Sequence, residues 1–196
     1  MTSAKRIEEA FRVTNTDKGY THKYFNGYAT LFKDVTPSSI LEIGIKQGRS
    51  LLSWKWLFPS CNITGIDISD EEFRTDFLTA AESKNIICDA TKPEVLQYLD
   101  DSYDVIIDDG SHYYKDILST FDLLKDRFNY AYVIEDTMYG NDFLEAYCKS
   151  LGFKVARFQS YRKQNIPVNT GWLLNRVRSV EMGTTLVSLE LIIITK

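Results

Sequence analysis

Ile106-Ile107-Asp108-Asp109-Gly110-Ser111-His112 and Val133-Ile134-Glu135-Asp136 are the two stretches of this chain best suited to chemistry. Each is an apolar, β-type run that stops on carboxylates, and in an open α/β sheet ligands bind outside the carboxyl ends of the strands. Four like charges on neighbouring strand ends repel, and one of them protonates unless a cation sits among them. Carboxylate oxygens suit a hard divalent ion such as Mg2+, Mn2+ or Ca2+ far better than zinc. No second histidine or cysteine lies nearby in sequence to suggest a soft site; the other histidine, His22, is in the N-terminal region. Histidine titrates near neutrality, which makes His112 the candidate proton acceptor. The plainer possibility is that the Asp and Ser residues cap the next helix and His112 is merely packed or exposed; a second acidic terminus at Glu135-Asp136 weakens it.

A second constellation lies upstream. Glu42-Ile43-Gly44-Ile45-Lys46-Gln47-Gly48 reads E-x-G-x-x-x-G at a strand-to-helix turn, where glycine allows close approach or positive φ. Ser50 is placed to cap the next helix, whose free amides favour an anionic group. Lys46 stands where a dinucleotide motif has its second glycine, which argues against a pyrophosphate-binding dehydrogenase. Asp67, at the end of Gly65-Ile66-Asp67-Ile68, has the spacing of a ribose-binding acid. Asp89, in Cys88-Asp89-Ala90, is placed to accept from an adenine amino group; helix capping is the alternative for both acids. The cofactor set is then Glu42, Gly44, Gly48, Ser50, Asp67, Ile68, Asp89, Ala90 and Asp108.

The elements that must position these residues alternate. Apolar runs at 40–45, 62–68, 85–88, 103–108, 131–135, 154–161 and 186–195 are separated by helical patterns at 51–58, 71–81, 93–99, 114–124 and 142–151, the signature of a parallel sheet with crossover helices. No convincing helix separates the last two runs, so they are expected to pair antiparallel. Two helical stretches, 3–13 and 23–32, precede the sheet, and the polar break at 14–19 between them reads as a loop. The expectation is one α/β domain over 1–196: a helical N-terminal cap (1–36) over the cofactor edge and a Rossmann-like core (37–196) with a seven-stranded, mostly parallel sheet and an antiparallel last strand.

Composition sets outer bounds. The 196 residues, 44% hydrophobic and 26% charged, suit one domain with a substantial core. No apolar run approaches a membrane span, and the N-terminus lacks a signal core. Cys61, Cys88 and Cys148 are too widely spaced for zinc and are expected to be reduced thiols in a cytoplasmic protein. A net charge of −4 argues against general nucleic-acid binding. Yet Lys149, Lys154, Arg157, Arg162, Lys163, Arg176 and Arg178 lie between 146 and 180 without one acidic residue. That segment is either a solvated or subunit-pairing face or a contact for an anionic substrate.

Several of these motifs together resemble one family: Thr16-Asp17-Lys18-Gly19 with His22 and Tyr24, Leu41-Glu42-Ile43-Gly44, Trp54 to Phe58-Pro59, Gly65-Ile66-Asp67-Ile68, the aspartate-glycine-serine-histidine stretch, and Val133-Ile134-Glu135-Asp136. They are similar to the metal-dependent sugar O-methyltransferases of macrolide biosynthesis and the related cephalosporin-hydroxylase-type proteins. The αβ repeat closed by an antiparallel pair is likewise the plan of class I methyltransferases.

The resemblance implies S-adenosylmethionine as cofactor, lined by Gly44, Asp67 and Asp89. It makes Asp109, Glu135 and Asp136 the ligands of Mg2+ or another hard divalent ion such as Mn2+, and His112 the general base that deprotonates a sugar hydroxyl. The family usually has a longer glycine-rich segment than Lys46-Gln47-Gly48-Arg49, and its macrolide members are longer overall. A sugar-bearing or polyhydroxylated acceptor, anionic if the basic segment meets it, and self-association are the implied partners. Tyr113, Tyr114 and Tyr139 are candidates for an aromatic wall. Trp54 and Trp56 are candidates for core or subunit contact, and Trp172 for substrate or dimer contact. Competing readings are a catechol-type O-methyltransferase, a nicotinamide-dependent oxidoreductase and a non-catalytic protein on the same fold.

Overall fold

The computed structural model describes residues 2–137, 141–164, 177–181 and 184–196, with the backbone alone for 160–164, 177–181 and 184–189. Elements follow in the order α1 (Ala4–Thr14), α2 (Asp17–Tyr20), α3 (Phe25–Phe32), β1 (Ser39–Ile43), α4 (Arg49–Leu57), β2 (Asn62–Asp67), α5 (Thr75–Ala81), β3 (Lys84–Ile87), a 3-10 turn (Pro93–Gln97), β4 (Tyr103–Asp108), α6 (Tyr114–Leu124), β5 (Phe128–Thr137), α7 (Asn141–Ser150), β6 (Lys154–Gln164), β7 (Val177–Glu181) and β8 (Thr184–Thr195). The sheet order is β3-β2-β1-β4-β5-β8-β6, with β7 paired to β8. Strands β1 to β5 pair in parallel, and β8 runs antiparallel between β5 and β6. The mostly parallel sheet and its antiparallel final pair are as expected. The eighth strand, β7, is not, because its five residues carry Val177 and Val180 three apart and so lack the alternation of a strand.

Covered on both faces, the central strands need continuous apolar runs. Alternate residues separate to the two sides. Ile40, Val105, Ile107, Val133 and Ile193 pack on one side with α1, α3 and α4. Leu41, Ile106, Tyr132, Ile134 and Ile192 pack on the other with α6 and α7. Helices α1 and α3 therefore cover a sheet face, and only the segment between them meets the carboxyl edge. Helix α1 starts at Ser3, whose hydroxyl accepts from Arg6 N, and ends on Asn15 in the left-handed region. Its buried stripe Ile7, Ala10, Phe11 and Thr14 meets α4 through a 2.6 Å Thr14–Ser53 hydrogen bond and an edge-on Phe11–Trp54 contact. Trp54 is fully buried and belongs to the core, as one of its two expected roles had it.

The segment joining α1 to α3 is what reaches the carboxyl edge. It is more than a loop, because Asp17–Tyr20 forms a helical turn with Lys18 buried at 1% exposure. No described helix is long and apolar enough to cross a membrane.

Candidate functional site

A cavity of about 740 Å³ opens at the carboxyl ends of β1, β2 and β4, a size suited to a cofactor-like ligand. Gly44, Ser50, Asp67, Ile68, Asp89, Ala90, Asp108, Asp109, His112 and Asp136 all line it. Glu42, Gly48 and Glu135 do not, for physical reasons visible in each case. Glu42 is on the inward face of β1, fully buried, with its carboxylate accepting from Trp54 Nε1 at 2.7 Å. Gly48 caps α4 at φ +83, against the side chain of Leu78. Glu135 is fully buried beside Lys18 and Tyr28.

At the cofactor end the turn after β1 is pinned from both sides. Gly44 N donates to Ile66 O, and Asp109 N donates to Ile43 O. Asp67 is held by backbone amides, with Lys46 N and Ile68 N each donating at 2.8 Å to one of its oxygens. Asp89 Oδ1 accepts from both the amide and the hydroxyl of Thr91, so it braces its own turn while lining the cavity. Ile68 is exposed and lines the same space, as does half-buried Cys88. Among the described residues, seven aspartates line the cavity (17, 67, 89, 108, 109, 116 and 136) against the cationic side chains Lys46, Arg49 and Lys92.

At the chemical end, a side chain absent from the sequence-derived set joins the carboxylates. Lys18 Nζ lies 3.1 Å from Glu42, 2.6 Å from Asp109 Oδ2 and 2.8 Å from Glu135 Oε1. Burial opposes its charge, but the carboxylates of Asp109, Glu135 and Glu42 outweigh that and push its pKa above the ordinary value. Removing this ammonium would leave buried carboxylates uncompensated, a cost of about 3–5 kcal/mol. Glu135 is pushed well up by burial and by Asp109, with Lys18 and Tyr28 opposing. Asp108, buried and accepting from Tyr132 OH, is pushed up to about 6 by desolvation. Asp136 behaves differently: burial works against its charge, yet His22 and Tyr24 hold its pKa below the ordinary value. His22 Nδ1 lies 2.9 Å from Asp136 Oδ1, and Tyr24 OH donates to the same oxygen at 2.5 Å.

Asp109, His112 and Asp136 each offer a ligand atom within 4.8 Å of the others, a grouping that contains His112 and omits Glu135. His112 Nε2 is 3.9 Å from Asp109 Oδ1, too far for a hydrogen bond. Glu135 Oε2 is buried and finds no hydrogen-bond partner among the described residues. An orphaned carboxylate oxygen beside two cavity-lining carboxylates fits a hard divalent cation. Lys46, His112 and Asp136 all hold positive φ (+48, +60 and +53), strain of the kind that clusters at functional sites.

The rest of the sequence-derived set divides. Tyr113 is exposed after His112, Tyr114 packs against the core, and Tyr139 and Trp172 lie outside the described residues. Of the basic segment, Arg157 is already neutralised by Asp142, Glu145 and Glu190, and Lys149 by Glu145. Arg176 and the side chains of Arg162, Lys163 and Arg178 lie outside the described residues. The signal for Lys18, His22 and Tyr24 was their shared motif, Thr16-Asp17-Lys18-Gly19 with His22 and Tyr24, which sequence alone gave no role.

No family model matches the chain. It is 30% identical over 148 residues to the 8-demethyl-8-alpha-L-rhamnosyl tetracenomycin-C 2'-O-methyltransferase of Streptomyces olivaceus, covering 67% of this chain and 38% of that protein. It is 30% identical over 142 residues to the L-olivosyl-oleandolide 3-O-methyltransferase of Streptomyces antibioticus, covering 65% and 36%. The chain thus spans under two fifths of the length of these relatives. Among solved structures it is similar to the MycE methyltransferase of the mycinamycin biosynthetic pathway in complex with Mg and SAH, with a TM-score of 0.65 and 22% identity over 93% of this chain and 54% of that one.

Proposed function

From a chain that belongs to the class I methyltransferase fold and is similar over two thirds of its length to sugar O-methyltransferases, we propose an S-adenosylmethionine-dependent, divalent-metal-dependent O-methyltransferase acting on a sugar hydroxyl. The observation that carries this reading is the acidic cavity, with its carboxylate pair Asp109 and Asp136 beside His112. A lining of seven aspartates against three cationic side chains favours a sulfonium cation and disfavours the doubly anionic pyrophosphate of a nicotinamide dinucleotide.

Each side chain then has a task. The amide-braced carboxylate of Asp67 accepts from ribose hydroxyls, and Asp89 from the adenine amino group. Asp109 and Asp136 would hold the cation, with Glu135 Oε2 the third oxygen on that edge. When bound, the cation lowers the pKa of an adjacent hydroxyl and orients it, and the sulfonium supplies the methyl group. His112 would accept the hydroxyl proton as that oxygen bonds the methyl carbon and the sulfur–methyl bond breaks to leave a neutral thioether, and in-line positioning would contribute much of the remaining acceleration. A second reading, His112 as a cation ligand, has the 4.8 Å grouping in its favour.

Isothermal titration with S-adenosylmethionine, S-adenosylhomocysteine and NAD, each with Mg2+ and with chelator, tests the cofactor. Binding of either adenosyl compound and not of NAD is expected; binding of NAD alone, or of nothing, sinks the reading. Screening of glycosylated and catechol acceptors follows, and His112→Ala assigns the base. The expected variant loses turnover by at least about 100-fold, with Mn2+ and S-adenosylhomocysteine affinities within twofold of wild type. Loss of Mn2+ affinity alone makes His112 a ligand instead.

A further inference from the structure

Among the described residues, the polar side chains that hold the two outward carboxylates come from one short segment outside the sheet. Lys18 engages Asp109 through Oδ2. His22 Nδ1 and Tyr24 OH both engage Asp136 through Oδ1. The contact with Tyr24 is reciprocal, since Asp136 N donates to the Tyr24 hydroxyl at 3.2 Å. Both carboxylates also line the cavity, so the opposite oxygen of each is the one that cavity contents can use. His22 and Tyr24 are 6% and 2% exposed and pack edge-on, and Lys18 is 1% exposed.

We propose that Lys18, His22 and Tyr24 form a positioning clamp that fixes Asp109 and Asp136 for a divalent cation, with the Lys18 ammonium standing permanently in the inner half of the acidic cluster. This deepens the metal-dependent reading above and rests on it. The clamp has two consequences. The inner carboxylates Glu42 and Glu135 already face a side-chain cation, which leaves the cluster to take one exchangeable ion and not two. The cation site is also complete only while the segment between α1 and α3 is docked, so the helices on the sheet face and the chemistry at its edge are coupled. Groups that orient ligand side chains in this way typically change metal affinity by about 10–100-fold when removed.

The test is Mn2+ binding to the full chain, read by electron paramagnetic resonance, beside S-adenosylhomocysteine affinity by titration calorimetry. Tyr24→Phe and His22→Ala are each expected to weaken Mn2+ by about tenfold or more, with S-adenosylhomocysteine unchanged within twofold. His22→Asn, which keeps a donor near the position of Nδ1, is expected to recover most of the loss, and wild type to bind a single Mn2+. Lys18→Met is expected to lose Mn2+ as well; if it does not fold, the other variants still decide. Mn2+ affinity unmoved by Tyr24→Phe and His22→Ala overturns the clamp, as does a parallel loss of both ligands. Tighter Mn2+ binding by Lys18→Met means that the ammonium competes with the ion and does not support it. A wild-type chain that binds no Mn2+ overturns the cation site itself, an outcome distinct from variant-insensitive binding.

Discussion

Gly44→Ala is the sharpest perturbation this fold offers, because it strikes the contact joining the cofactor turn to the carboxylate edge. Gly44 has φ +81, and a Cβ there would stand 2.1 Å from Asp109 O, 2.6 Å from Asp109 C and 2.9 Å from Gly110 Cα. All three atoms are backbone, so no rotamer change relieves the clash. The left-handed conformation costs an alanine about 1–2 kcal/mol and overpacking typically adds about 1–3 more, giving roughly 2–5 kcal/mol. For a chain of this size that lowers the melting temperature by roughly 10 °C.

Gly152 supplies the matched control. Its φ is +91, but a Cβ there meets nothing within 4 Å. Gly152→Ala therefore carries only the conformational cost, about 1–2 kcal/mol, or roughly 2–8 °C. Thermal unfolding of the two variants side by side, with S-adenosylhomocysteine titration, reads both effects. Gly44→Ala should melt several degrees below Gly152→Ala and lose the ligand, because relief requires Asp109–Gly110 to move away from β1. Equal melting shifts, or a Gly44→Ala protein with wild-type ligand affinity, would refute this account of the turn.

Two further predictions concern parts of the fold away from the cavity. Burial works against the charge of Asp104, but the Ser38 hydroxyl and amide, with Asn129, outweigh it and hold its pKa below the ordinary value. A depressed carboxylate stabilises the fold above its unfolded pKa and is lost as pH falls through the folded one, so Asp104→Asn should lower stability at pH 7 and flatten the loss below about pH 4. Melting curves from pH 7 to 3 check this, and parallel wild-type and variant profiles would contradict it. Arg157→Met should cost about 2 kcal/mol in urea unfolding, since Glu190, 9% exposed at its side chain, loses its guanidinium partner. Its S-adenosylhomocysteine affinity should stay at the wild-type value, and a cost under about 0.5 kcal/mol would reduce the network to an exposed ion pair.

The strand ends were legible because the physics that fixes them is local. A strand buried on both faces must be an unbroken apolar run, so Val105–Ile107 and Val133–Ile134 announce themselves, and their closing carboxylates mark the ligand edge. Strand β7 was not legible, because a short strand that, among the described residues, pairs with β8 alone need not alternate. The 14–19 break was half legible: its polarity marks a connection, while the burial of Lys18 depends on residues 24, 91 and 117 positions away. No window of sequence contains that information.

Several carboxylates gathered on adjacent strand ends demand a cation, and the demand does not specify whether the cation is an ion or a side chain. In this fold the inner half of the demand is met by Lys18, whose buried ammonium reaches Glu42, Asp109 and Glu135. The outer half, Asp109 and Asp136 on the cavity, would remain for an exchangeable ion on the reading proposed above. Division of the acidic cluster between a fixed and an exchangeable charge, as proposed above, explains how two adjacent carboxylates that the strand turns to opposite sides, Glu135 against Lys18 and Asp136 on the cavity, come to have separate roles. It also explains why the residues that orient the edge lie more than a hundred positions from Asp136: His22 and Tyr24 can reach it only because α1 and α3 are already anchored on the adjoining face of the sheet, through Phe11 and Tyr28 against Trp54.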